Sequence, residues 1–171
     1  MLSLLGLASL SIALAYADGE DITRHPLLNN STFPIARAVE VPASATLVFH
    51  SGVVPGPLDP DAERGSRAFF GDTEAQSENV FQRLEESLGL MGLGFGDVVS
   101  MTVFLVGDPE LEGRMDFAGF MNAYRRHFAT EAQPNLPARS VVQIAGLAGG
   151  PNMLVEIEVI AVRRAGQQGE E

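Results

Sequence analysis

The feature that most constrains the fold is an apolar segment at residues 97–106, which reads DVVSMTVFLV. It is rich in β-branched residues, as strands are. Side chains alternate between the two faces of a strand, and this segment is apolar at both sets of positions. Both faces must therefore be covered by other parts of the protein. We predict that the segment is an interior strand of a sheet.

Two helices and four further strands are indicated around this segment. One helix begins at Asp72 or Thr73, and a second covers residues 117–128, each with apolar side chains at helical spacing. The remaining strand patterns, of which the first two are expected to form a hairpin, cover residues 35–41, 46–50, 140–144 and 154–162. This order predicts one α+β domain, a mixed sheet with both helices on one face. The opposite face must be small, polar or buried by partners.

The connection at residues 53–71 is long for a compact domain and contains three prolines and the adjacent Phe69 and Phe70. Loops of this length are usually functional or mobile. We interpret it as a lid or a subunit contact. The alternative is a small satellite core beneath the loop.

The N-terminal segment is typical of an exported protein. Residues 2–17 carry no charge and end in Ala15-Tyr16-Ala17, the small-x-small pattern of a signal peptide, although no Lys or Arg precedes them. We predict a signal peptide at residues 1–17, with a periplasmic or secreted product that has no membrane segment after its removal. The alternatives are a buried N-terminal helix and a cytoplasmic location. Residues 18–32 are interpreted as a polar arm or linker, 33–164 as the folded domain, and 165–171 as a disordered tail.

Composition excludes several classes of function. The formal net charge of −11 and pI of about 4.6 disfavour a nucleic-acid surface, which needs clustered Lys and Arg, and disfavour docking on anionic lipid. The chain contains no Cys, so it has no disulfide, thiolate nucleophile or Cys-type zinc site. The three histidines, His25, His50 and His127, do not have metal-ligand spacing. We therefore predict no metal site.

Charged residues on the last two predicted strands suggest a binding site. Arg139 precedes the first strand, and its planar guanidinium matches a carboxylate. Glu156 and Glu158 share one face of the second, which we expect to neighbour the first. The pattern supports a pocket for a small anionic ligand with a carboxylate nearby. The alternative for Arg139 is an internal salt bridge or a charge at the sheet edge.

Several motifs together resemble the RidA (YjgF, L-PSP) family over residues 33–164. They are Ser51-Gly52-x-x-Pro55, Gly71-Asp72-x-x-x-Gln76, Gly96-Asp97-Val98-Val99, Pro137-Ala138-Arg139-Ser140 and the segment VEIEVIAV at 155–162. The resemblance implies a chorismate-mutase-like fold and a homotrimer with a ligand cleft at each subunit interface. In such a trimer the uncovered face of the sheet is buried against the neighbouring subunits.

The resemblance also implies hydrolysis of reactive enamines and imines, such as 2-aminoacrylate, to 2-keto acids and ammonia, without a cofactor. Arg139 is similar to the arginine that clamps the substrate carboxylate, and Glu156 to the acid that orients or activates water. Ser51 and Gly52 match residues that line the cleft, and Val141 matches a position whose backbone contributes there. A non-catalytic trimeric binder of small carboxylates is the alternative, and the charge disfavours the endoribonuclease activity ascribed to some relatives.

Two segments depart from the pattern of the family's deaminases. Phe33-Pro34-Ile35 stands where they usually carry Gly-Pro-Tyr, so Ile35 replaces the tyrosine of the pocket, and Met121 stands where a helix asparagine is expected. The cleft is therefore expected to differ from theirs in the residues around Arg139.

Overall fold

The computed structural model describes residues 21–164; the predicted signal peptide at 1–17 and the predicted tail at 165–171 lie outside this range. Six strands and three α-helices occur in the described residues. The strands are β1 Thr23–His25, β2 Ala38–Glu40, β3 Thr46–Val53, β4 Val98–Val106, β5 Ala138–Ile144 and β6 Val155–Arg163. The helices are α1 Arg67–Phe70, α2 Thr73–Leu90 and α3 Phe117–His127. None of the helices within 21–164 is long and apolar enough to cross a membrane.

The main sheet has the order β3-β6-β4-β5 and is mixed. β4 pairs in parallel with β5 and antiparallel with β6, so the apolar strand is interior, as predicted. The prediction that the last two strands are neighbours is wrong, because β4 lies between them. A strand, helix and strand connection gives parallel pairing, which places β5 on one edge of β4 and leaves the other edge to β6.

The predicted hairpin between residues 35–41 and 46–50 is also wrong. β2 pairs with β1 in a separate two-stranded sheet, and β3 pairs with β6. Arg24 in β1 explains this arrangement, because its guanidinium donates hydrogen bonds to the carbonyls of Gly96, Val98 and Leu136 at 2.7–2.9 Å. This part of the predicted polar arm is therefore fixed to the domain and provides β2 with a partner.

Helices α2 and α3 cover one face of the main sheet and form the core with it, as predicted. Asp72 caps α2, its side chain accepting from the backbone of Ala75. The inward residues of α2 and α3 have little or no exposure: Val80, Phe81, Leu84, Leu88, Phe120, Met121 and Tyr124. Burying one such side chain stabilises the fold by roughly 1.5–3 kcal/mol. The opposite face leaves Leu47, Phe49 and Val142 exposed, with Phe49 at 73%.

Candidate active site

A β-bulge in β3 brings three of the predicted site residues together. The pairing of β3 with β6 shifts between His50 and Val53, which leaves Ser51 and Gly52 out of the regular ladder. The Glu156 carboxylate from β6 lies directly against the α-carbon of Gly52, and a Cβ at Gly52 would come within 2.8 Å of the Glu156 carboxyl carbon. Position 52 requires glycine because the Glu156 side chain of the neighbouring strand occupies the space that a Cβ would need.

His50 holds this bulge against helix α2. Its Nδ1 donates to the carbonyl oxygen of Ser51 at 2.7 Å, so the Nε2 of the neutral ring is free to accept from the hydroxyl of Ser87, 2.8 Å away. In the sequence, His50 was only one of three scattered histidines without metal-ligand spacing. Its position directly before Ser51-Gly52 was the one signal that could have indicated a role at the site.

Arg139 lies on the helix-covered side of the sheet within a cage of aromatic rings. Its guanidinium carbon is 4.0 Å from the ring centroid of Tyr124, 5.2 Å from that of Phe120 and 5.7 Å from that of Phe33. Contacts of this kind attract a cation through the negative face of the ring. Burial lowers the pKa of the Arg139 guanidinium from its ordinary value. The group nevertheless stays charged, because an arginine guanidinium is not deprotonated in proteins.

The hydrogen bonds of Arg139 are incomplete within the described chain. Nη2 donates to the thioether sulfur of Met121 at 3.1 Å, a weak acceptor, and the buried Nη1 has no partner. No ion pair joins Arg139 to an acidic residue of the part of the chain that the structure describes. The alternative of an internal salt bridge is therefore wrong for these residues. Arg139 does lie on the edge strand β5, with its guanidinium beneath α3 rather than in solvent.

Tyr124 fixes the segment that closes the cage. Its hydroxyl donates to the carbonyl of Pro34 at 2.9 Å, and the neighbouring Phe33 stacks on Phe117 with ring centroids 6.5 Å apart. Burial raises the pKa of Tyr124 to about 12, although the nearby Arg139 opposes the shift. Tyr124 is therefore a neutral hydrogen-bond donor at physiological pH. Phe33 and Met121, two of the three residues that depart from the family pattern, both contact the guanidinium; the third is Ile35.

Arg139 and Glu156 lie on opposite faces of the sheet. Arg139 pairs with the buried Met101 on the helix side. Glu156 pairs with Phe104, and Phe104 alternates along β4 with the buried residues. Both side chains therefore lie on the uncovered face of the sheet. The expectation that Arg139 is near these carboxylates is wrong within one chain. Glu158 shares the face of Glu156, as predicted, and is exposed.

The remaining predicted site residue, Val141, is in the middle of β5. Its side chain packs against the core. β5 is an edge strand of the main sheet, so within residues 21–164 one side of its backbone at Val141 faces no other strand. No group of three or more His, Asp or Glu side chains within residues 21–164 is placed to hold a metal ion.

Comparison with known proteins identifies relatives over most of this chain. A protein from Myxococcus xanthus called DfrA is 36% identical over 129 residues, which cover 75% of this chain and 85% of the relative. The 2-iminobutanoate/2-iminopropanoate deaminase of Salmonella typhimurium is 34% identical over 119 residues, covering 70% of this chain and 81% of the enzyme.

Solved structures and a family model agree with these matches. The crystal structure of Escherichia coli TdcF with bound serine is 29% identical and has a TM-score of 0.52, covering 78% of this chain and 91% of that one. The Yersinia pestis Rid-family protein YyfB, at 23% identity, supports the fold alone, with a TM-score of 0.61 and coverage of 81% of this chain and 96% of that one. The family model described as Endoribonuclease L-PSP matches residues 29–163. The chain therefore belongs to the L-PSP family, whose structural relatives carry the names YjgF and Rid.

Proposed function

We propose that this protein hydrolyses reactive enamines and imines that carry a carboxylate, such as 2-aminoacrylate, to 2-keto acids and ammonia. Arg139 binds the substrate carboxylate and Glu156 orients the attacking water. The similarity to a 2-iminobutanoate/2-iminopropanoate deaminase supports this reaction. An imine carbon is already electrophilic, so positioning, a held water and a proton shuttle are the contributions required of the protein.

The observation that carries the proposal is the unpaired, buried Nη1 of Arg139. Leaving a buried charged donor without a partner destabilises a protein by more free energy than one ordinary hydrogen bond contributes to its stability. A bound carboxylate would satisfy this donor and supply the missing counter-charge. The site is therefore incomplete without an anion, and the incomplete group is the residue that the family pattern assigns to carboxylate binding.

We further propose that the working site is assembled between subunits of a homotrimer. Arg139 and Glu156 lie on opposite faces of one sheet, so a single chain does not present both to one small substrate. The uncovered face also exposes Leu47 and Phe49. Exposed apolar residues gathered on one face favour burial by another protein surface. Sedimentation equilibrium should give the mass of three chains.

The test is release of ammonia and pyruvate from freshly generated 2-aminoacrylate. We expect Arg139→Ala to lower kcat/KM by at least about a hundredfold, because a charged, bidentate contact to the carboxylate is lost. Arg83→Ala is the matched control, since Arg83 is an exposed arginine on α2. Equal inactivity of the wild type and both variants would refute the enzymatic proposal.

A second candidate is a non-catalytic binder of small carboxylates or keto acids. The separation of Arg139 from Glu156 favours it, because binding needs only the arginine. Calorimetry with 2-ketobutyrate distinguishes the two functions. The binder is favoured if the wild type binds 2-ketobutyrate but releases no ammonia, and if Arg139→Ala abolishes that binding.

We also propose export and the absence of an RNA substrate. The uncharged residues 2–17 support the first proposal, and the net charge of −11 supports the second. Mass spectrometry of the protein from an extracytoplasmic fraction should find a new N-terminus near residue 18. Incubation with single-stranded RNA should yield no cleavage products.

A further inference from the structure

The loop at residues 53–71 forms one wall of a cavity of about 570 Å³. Ligand-binding pockets have volumes of roughly 300–1,000 Å³. Prolines and aromatic rings of the loop line one side, and Met153 lines the other. Phe69 and Phe70 pack edge to face, with ring centroids 4.9 Å apart. The alternative of a satellite core beneath the loop thus describes only part of this region, because an open, mostly apolar space remains.

The cavity is preformed, because hydrogen bonds fix both of its walls. Asn152 donates from Nδ2 to the carbonyl of Gly65 in the loop at 2.9 Å, and Gln76 holds Asn152 by donating to its carbonyl at 2.8 Å. The backbone of Leu58 donates to the carbonyl of Phe69 at 2.7 Å, which closes the loop on itself. A ligand therefore does not have to pay for ordering the loop.

A further contact anchors the loop to the domain. Arg67 of α1 donates to the Asp108 carboxylate at 2.7 Å, and Asp108 is only 2% exposed. An ion pair with one buried partner loses less to solvent screening than an exposed pair does. The short helix that carries Phe69 and Phe70 is thereby held in place.

One cation stands at this otherwise apolar cavity. Arg64 lines it and has no hydrogen-bond or ion-pair partner in the described part of the chain. The acidic residues of the same loop, Asp59, Asp61 and Glu63, are exposed and do not line the cavity. The combination of apolar walls and one unpaired guanidinium is complementary to an apolar molecule with a single anionic group.

We propose that this cavity binds a compact apolar monocarboxylic acid, aromatic or branched, with its carboxylate on Arg64 and its apolar body against Phe69, Phe70 and Met153. The cavity and the Arg139 cage have no lining residue in common. The proposed site is therefore separate from the candidate active site, and it does not depend on the deaminase reaction.

The experiment uses the full chain with Arg139→Gln, so that the other carboxylate-binding group is removed. Phenylacetate is titrated while the methyl resonances of the methionines are followed by NMR, and Met153→Leu assigns the reporter. We expect a saturable shift of the Met153 methyl. Arg64→Ala should weaken the affinity about fivefold, as loss of one partly exposed charged contact does. Arg125→Ala, an exposed arginine outside the cavity, should leave it unchanged.

Two further comparisons make the proposal refutable. Phenylacetamide has the same shape without the charge and should bind about fivefold more weakly than phenylacetate; equal affinities would overturn the assignment of a carboxylate to Arg64. Ala62→Trp fills the cavity and should abolish the shift. Unchanged binding in a folded Ala62→Trp variant, or no shift of the Met153 methyl up to the solubility limit, would overturn the site. Arg64→Glu provides a surface variant that does not alter the packing and should bind more weakly than Arg64→Ala.

Discussion

Substitution of Gly52 by alanine tests the contact on which the site around Glu156 depends. The φ angle of Gly52 lies outside the left-handed region, so alanine introduces no backbone strain there. Its Cβ would overlap the nearer carboxylate oxygen of Glu156 and lie 2.8 Å from the carboxyl carbon. Carbon atoms in contact are usually about 3.5–4.0 Å apart. The carboxyl group of Glu156 must therefore move by roughly 1 Å.

The magnitude follows from this displacement. A misplacement of about 1 Å can cost a hundredfold in rate when a group must be held in a reactive geometry. We expect kcat for imine hydrolysis to fall about 30- to 100-fold, which is about 2–2.7 kcal/mol of activation free energy. Binding of 2-ketobutyrate should change by less than about twofold, because Arg139 lies on the opposite face of the sheet. Overpacking should lower the free energy of unfolding by about 1–3 kcal/mol.

Steady-state release of ammonia from 2-aminoacrylate gives kcat and KM for the variant. Gly56→Ala is the matched control, because its Cβ would crowd the flexible end of the exposed Arg83 side chain, at 2.8 Å, and meet Asn79 Oδ1 at an ordinary contact distance of 3.6 Å. Adding Glu156→Asp to Gly52→Ala shortens the acid by one methylene and should recover part of the lost rate. If Gly52→Ala retains wild-type kcat while Glu156→Gln is inactive, the position of Glu156 against Gly52 is not important for catalysis.

Three further predictions follow from contacts elsewhere in the fold. Met121→Asn should raise KM about fivefold in the ammonia assay, since an amide oxygen accepts from Arg139 about 1 kcal/mol better than the thioether does and would compete with the substrate carboxylate for the guanidinium; an unchanged or lowered KM would contradict this. Gln76→Ala should lower the free energy of unfolding by about 2–4 kcal/mol in urea, because its side chain bonds three buried or half-buried backbone groups; Gln82→Ala, exposed on the same helix, should have little effect. Burial raises the pKa of Asp108, but the hydrogen bonds from Arg67 and from the backbone of Glu110, together with the charge of Arg67, outweigh burial and hold the pKa below its usual value. Stability present above about pH 4 should therefore be lost as pH falls through the lowered pKa; Arg67→Ala should reduce this acid-dependent loss in pH-dependent urea denaturation.

Much of the fold could be predicted from local patterns. The apolar segment at 97–106 indicated an interior strand, and the helical spacing of Phe81, Leu84 and Leu88 indicated the buried face of α2; the structure confirms both. These predictions succeed because the period of side chains along a helix or strand is a local property. The cap at Asp72 is local in the same sense.

Strand partners could not be predicted in the same way. β2 pairs with β1 because Arg24 ties the N-terminal arm to carbonyls more than 70 residues away, and no local pattern records such a contact. The separation of β5 from β6 by β4 likewise depends on which edge of β4 each strand occupies. Competition between strands distant in sequence decides both outcomes.

The same distinction between local pattern and tertiary packing applies to the candidate site. The sequence by itself determined which residues are the candidates for the chemistry, because a lone arginine beside a strand and two glutamates of one strand face are visible without a fold. Only the tertiary structure decided that Glu156 rests on Gly52, that His50 holds their bulge to α2, and that Arg139 lies across the sheet beneath aromatic rings with one donor unpaired. The physical reason is that residue type and face are set along the chain, whereas close approach and burial are set by which segments pack together.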